Sequence, residues 1–89
     1  GENHLLHSSS VVRAVTYSAD SITYDTFDAA STEVLRVNSQ PRSVSAGGLD
    51  LPQRADVNAA GWTCDSATGV LKVRHDSATN VEVVLHAGV

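Results

Sequence analysis

The chain has 89 residues, with 6 Lys and Arg against 10 Asp and Glu, for a net charge of −4. That length holds one domain, and the acidic balance argues against nucleic acid as a partner. No apolar run nears the ~20 residues that a membrane-spanning helix needs, and the single cysteine, Cys64, excludes an internal disulfide or a multi-cysteine metal knuckle.

The composition favours strands. Thirteen Val, seven Thr and one Ile make 21 of the 89 residues β-branched, and such side chains suit a pleated surface better than a helix. Methionine is absent and there are two prolines. The chain starts at Gly1 with no basic-then-apolar leader pattern, so it reads as a fragment of a longer polypeptide or as a chain with a scar at its start.

Residues 1–10, GENHLLHSSS, are polar and read as a linker or entry segment, with Leu5 and Leu6 laid against the domain that follows over 11–89. The first strand is Val11 to Tyr17, the turn is Ser18 to Ser21, and the second strand is Ile22 to Phe27. A turn that sets Tyr17 opposite Ile22 also sets Val15 opposite Tyr24, so both pairs share one buried face. Residues 28–32 read as a loop and Glu33 to Val37 as a third strand. Gly47-Gly48, between Pro41–Ala46 and Leu49–Pro52, is a two-residue hairpin signal, because both glycines accept positive φ. Gln53 to Ala60 has no clear period and suits a short helical turn.

Three further strands follow: Gly61–Cys64, Val70–His75 and Val81–Leu85. Between them the string D-S-A-T occurs twice, at 65–68 and 76–79, followed by Gly69 and Asn80. A type I turn closed by a left-handed residue predicts positive φ at both Gly69 and Asn80. About seven short strands with turn signals every 8–12 residues predict an all-β, antiparallel, immunoglobulin-like β-sandwich. The expected core is Val15, Tyr17, Ile22, Tyr24, Leu35, Val44, Trp62, Leu71, Val73, Val83 and Leu85.

Candidate chemistry is sparse. His4 and His7 have a helical metal-ligand spacing in a segment with no helical period, and no other ligand stands beside them, where a zinc site needs at least three. His75 and His86 end the last two strands and read as solvent-facing. No G-x-S-x-G elbow or recognisable Ser, His and Asp spacing is present. Asp65 and Asp76 are candidate calcium ligands in two turns. Neither a metal nor a cofactor is expected. Cys64 and Trp62 share one strand face and read as core. Were they exposed, Trp62, Tyr17 and Tyr24 would be the aromatic faces for stacking a sugar.

Three stretches carry a resemblance: VTYSADSITYDTFDA (15–29), PRSVSAGGLDL (41–51) and GWTCDSATGVLKVRHDSATNVEVVL (61–85). The matching positions are Pro41, Val44, Gly48 and Leu51, then Gly61, Trp62, Asp65, Gly69, Leu71 and Val73. The pattern resembles the small β-sandwich appended to the C-terminal side of bacterial carbohydrate-active enzymes, especially multidomain glycoside hydrolases. The resemblance implies a secreted or periplasmic, non-catalytic accessory domain that packs on the catalytic domain of the same polypeptide. In such proteins the catalytic carboxylates belong to another domain, so none carries over to this chain. The alternatives are a carbohydrate-binding module, with a glycan as partner, and an immunoglobulin-like spacer or adhesion domain of a surface protein.

Overall fold

The computed structural model describes residues 4–18, 20–37, 40–55, 57, 59–65 and 67–85. Among these residues nine strands run in chain order: β1 (His4–Ser8), β2 (Val12–Tyr17), β3 (Ser21–Thr26), β4 (Ser31–Arg36), β5 (Pro41–Ala46), β6 (Leu49–Asp50), β7 (Gly61–Asp65), β8 (Val70–His75) and β9 (Asn80–Leu85). They form a four-stranded sheet, β1-β4-β8-β7, and a five-stranded sheet, β2-β3-β9-β5-β6. Every strand pairing is antiparallel. This is the expected all-β sandwich, with nine strands rather than about seven. Its order nests β3 with β9 and β4 with β8, so the last strand lies inside its sheet.

Period-2 alternation places the core between the sheets. From the five-stranded sheet come Ile22, Tyr24, Val44, Ala46, Val81, Val83 and Leu85, and from the four-stranded sheet Leu35, Trp62, Leu71 and Val73, all buried. The β2–β3 hairpin has the expected register, Tyr17 opposite Ile22 and Val15 opposite Tyr24. Only part of that face is sealed, however. Ile22 and Tyr24 are fully buried and Val15 packs partly on the core, whereas Tyr17 is 45 % exposed. The reason is position: β2 is an edge strand, so the Tyr17 ring sits at the rim. There its hydroxyl accepts a hydrogen bond from the Leu5 amide of β1 (3.0 Å), tying the edges of the two sheets together.

Gly47 and Gly48 form the expected two-residue hairpin, with φ of +61° and +83° and Ala46 opposite Leu49. The first D-S-A-T turn also has the expected form. Gly69 has φ +74°, and its amide bonds the Asp65 carbonyl (2.8 Å). A Cβ at Gly69 would stand 2.6 Å from the Val37 carbonyl oxygen. Gly69→Ala is therefore expected to cost at least ~1–2 kcal/mol, from backbone strain before any clash is counted, and to lower the urea midpoint at an unchanged slope.

The second copy departs from expectation. Among the described residues no non-glycine has positive φ, and Asn80 is the first residue of β9, opposite Asp25, with its amide donating to the Asp25 carboxylate (3.0 Å). The cause is topological: the first copy joins two paired strands, while 76–79 carries the chain from one sheet to the other. Sheets stack ~10 Å apart, and a tight left-handed turn does not cover that gap.

Two other segments also differ. Residues His4–Ser8, expected as an entry segment, form edge strand β1 on β4. The described part of 53–60 has no helical turn. Instead Gln53 makes an isolated parallel bridge to Trp62, with Arg54 N–H to Trp62 O (2.7 Å) and Trp62 N–H to Pro52 O (3.0 Å) covering the outer edge of β7.

Candidate functional site

Polar residues occupy one end of the inter-sheet layer. In β4 the inward phase is Ser31, Glu33, Leu35, and in β8 it is Leu71, Val73, His75. Strand register sets Ser31 opposite His75, Glu33 opposite Val73 and Leu35 opposite Leu71. Glu33 and His75 are thus buried by the same alternation that buries the leucines, at 0 % and 1 % exposure. His75, expected to face solvent, lies inside because it is in phase with Leu71 and Val73.

The Glu33 carboxylate accepts four hydrogen bonds. Oε1 receives the Tyr24 hydroxyl (2.9 Å) from the opposite sheet and His75 Nε2 (2.8 Å). Oε2 receives the hydroxyls of Ser31 (2.5 Å) and Ser8 (2.8 Å). A bulge in β1 brings Ser8 into reach. The register shift between Leu5 and His7 lets Leu5 pair with Leu35 and Ser8 with Glu33, although an odd separation would otherwise put them on opposite faces. The neighbouring serines are also bonded: Ser9 Oγ accepts the Thr32 amide (2.9 Å) and Ser10 Oγ bonds the Asp28 carboxylate (3.0 Å).

The surroundings of His75 determine its charge. Nδ1 lies 2.8 Å from the Ala29 carbonyl and 2.7 Å from the Ala78 carbonyl, while Nε2 faces the Glu33 carboxylate. A neutral imidazole has one N–H and one lone pair, and here acceptors face both nitrogens. This arrangement suits the doubly protonated ring, which would pair as a cation with Glu33 at 2.8 Å. Burial pulls the His75 pKa down, but the hydrogen bond and charge of Glu33, with the two carbonyls, outweigh it and raise the pKa. Burial pushes Glu33 up, and the donors His75, Ser31 and Ser8 reverse that and hold it below its usual value. Tyr24 is raised, by burial first and the Glu33 charge second, and stays protonated. Among the described residues no buried side-chain nitrogen or oxygen lacks a hydrogen-bond partner.

Ser, His and Glu together invite comparison with a hydrolytic triad, but the connectivity differs. In a triad one ring nitrogen meets the nucleophile and the other the carboxylate. Here Ser31 (3.0 Å) and Glu33 share Nε2, and backbone carbonyls occupy Nδ1. Ser31 is also buried. Geometrically the cluster clamps two sheets and two connections together.

The other candidates separate. Trp62 and Tyr24 are buried at 6 % and 1 %, so neither offers a stacking face, while Tyr17 remains half exposed. Cys64 is a free thiol that packs partly on the core, its pKa raised by burial and by Asp65, which is the reverse of an activated nucleophile. Asp65 and Asp76 flank opposite ends of β8, roughly 20 Å apart at strand rise, so they cannot share a calcium ion. His7 is exposed on a strand rather than a helix, and His86 lies outside the described residues. Among the described residues no three His, Cys, Asp or Glu converge to hold a metal.

A groove of about 400 Å³ runs between Ala55 and the β7–β8 hairpin, lined by Thr63, Asp65, Thr68 and Lys72 among others. Its turn residues are already engaged: Asp65 Oδ1 accepts the Ala67 amide (2.9 Å) and Thr68 Oγ1 the Val70 amide (3.3 Å). Among the described residues, the exposed large apolar side chains are Leu6 on β1, Leu49 on the far edge strand β6, Tyr17 at the end of β2, and Val11 and Phe27 at its start. Val11 and Phe27, 67 % and 69 % exposed, are neighbours through the bond from the Phe27 amide to the Val11 carbonyl (2.7 Å).

Comparison with protein families, curated proteins and solved structures finds no match to this chain.

Proposed function

We propose that the chain is a non-catalytic accessory module of an exported bacterial glycoside hydrolase, which packs on the catalytic domain of its own polypeptide and braces it. The observation that carries this reading is the exposed apolar pair Val11 and Phe27. Phe27 and Val11 stand together in solvent where β3 ends and β2 begins, and adjacent large apolar groups left this exposed mark a surface that another body covers. The titratable cluster lends support, since its groups are sealed in the core and serve cohesion. The sequence resemblance supplies the enzyme class.

Phe27→Asp in the parent polypeptide tests it. Loss of one buried phenyl contact removes about 1.5–3 kcal/mol, so the catalytic domain is expected to melt roughly 3–8 °C lower. The 89-residue chain alone, where Phe27 is already exposed, should keep its own midpoint. An unchanged catalytic-domain melt would overturn the bracing role. Glycan binding is the second reading, favoured by the exposed rings of Tyr17 and Phe27. It calls for heat on titration with a polysaccharide panel that disappears in Tyr17→Ala.

A further inference from the structure

The buried ion pair does more than add cohesion. Its two carbonyl acceptors, Ala29 and Ala78, lie on two of the three connections that cross between the sheets at this end of the sandwich, 27–30 and 76–79, the third being 9–11. The first two are also tied at Thr26, whose amide donates to the Thr79 carbonyl (2.8 Å) and whose hydroxyl donates to the Asp28 carbonyl (2.6 Å). The His75 ring thus bonds both of these crossings and, through Glu33, reaches Tyr24 of the facing sheet.

We propose that His75 and Glu33 form a proton-dependent latch: with His75 doubly protonated the two crossings are held shut, and loss of one proton releases them. A neutral ring has one N–H for two sets of acceptors. Either the Ala29 and Ala78 carbonyls or the Glu33 carboxylate would then face a lone pair at under 3 Å. Ser31 cannot repair both faults, because its single proton already serves Glu33. Burial excludes water from the site unless the end opens.

The titratable groups around His75 are few. Glu33 faces it from β4, and Tyr24 from β3 meets Glu33 on the same oxygen. β1 contributes the Ser8 hydroxyl and the crossings contribute backbone carbonyls. Because the folded pKa of His75 lies above its ordinary 6.5, its contribution is complete below pH 6.5 and is lost as pH rises through the folded value. Glu33 is shifted the other way, so its contribution is complete above pH 4.5 and is lost only as pH falls through a lower value. The latch is therefore fully closed between about pH 4.5 and 6.5 and weakens above that window. This inference does not depend on which partner covers Val11 and Phe27.

Nitrogen-15 NMR of the imidazole rings, with pH-dependent melting of the 89-residue chain, tests the latch. At pH 6 both His75 nitrogens are expected at protonated shifts. Toward pH 9 that signature should disappear, with amide shifts at Thr26, Phe27 and Thr79, and the melting midpoint should fall by at least ~5 °C. His75→Gln should show less than half of that fall. If His75→Gln does not fold, the wild-type titration decides alone. A neutral His75 in the folded chain at pH 6, or a midpoint constant from pH 6 to 9, overturns the proposal.

Discussion

Glu33→Ala is expected to remove two-fifths or more of the chain's stability at 25 °C. Removing one member of a buried ion pair costs about 3–5 kcal/mol, and a domain of this size has about 4–13 kcal/mol in total at 0.05–0.15 kcal/mol per residue. The loss at this position belongs at the upper end of that range, since the carboxylate is the shared acceptor for Tyr24, Ser31, Ser8 and His75. Its removal strands four donors inside the core. His75→Ala should be milder, because Glu33 keeps three hydroxyl donors. The ordering Glu33→Ala worse than His75→Ala, read from urea midpoints, distinguishes a carboxylate-centred network from an isolated pair. Equal losses would indicate that only the ion pair matters. Glu33→Gln adds a finer arm: it keeps the shape and one carbonyl acceptor but removes the charge that holds His75 protonated, and should fall between wild type and Glu33→Ala.

The sandwich was legible where local grammar and tertiary need coincide. The β2–β3 register followed from alternation about a polar turn, and the Gly47-Gly48 hairpin and the Gly69 turn followed from positive φ. The cluster was not legible for a physical reason. Charged and hydroxyl side chains are normally outside, so Ser31 and Glu33 divided what is one inward phase with Leu35, and His75 was detached from Leu71 and Val73. A signal was present: in β8 the polar residues Lys72 and Arg74 hold the outward phase, which leaves His75 inside. β1 is hidden in the sequence because Leu5-Leu6 breaks alternation, and the break is itself the bulge that delivers Ser8. Turn chemistry likewise cannot distinguish a hairpin from a sheet crossing, so two identical D-S-A-T strings adopt different geometries. Tyr17 shows the matching limit for burial: its phase was right, but an edge strand leaves its ring half wet.

The second large effect lies in the same register row, two strands away, where Val73 separates Trp62 from Glu33. Trp62→Ala is expected to cost about 3–5 kcal/mol, through the lost transfer of the indole and the cavity left behind. Trp62 is 6 % exposed, stands opposite Val73 in β8 and belongs to the same cluster as Leu35 and Leu71. The urea midpoint should fall by a quarter or more at an unchanged slope. Its backbone holds Pro52 and Arg54 through bonds that do not involve the side chain, so whatever fraction of the mutant stays folded should retain that edge cover. Trp62→Phe refills most of the volume and should recover much of the loss. Emission of the native protein supplies an independent check, since a ring inside the layer emits to the blue of the denatured chain and resists quenching by iodide. A Trp62→Ala chain that melts within a degree of the parent would place the indole outside the core and return it to the list of stacking faces for a glycan.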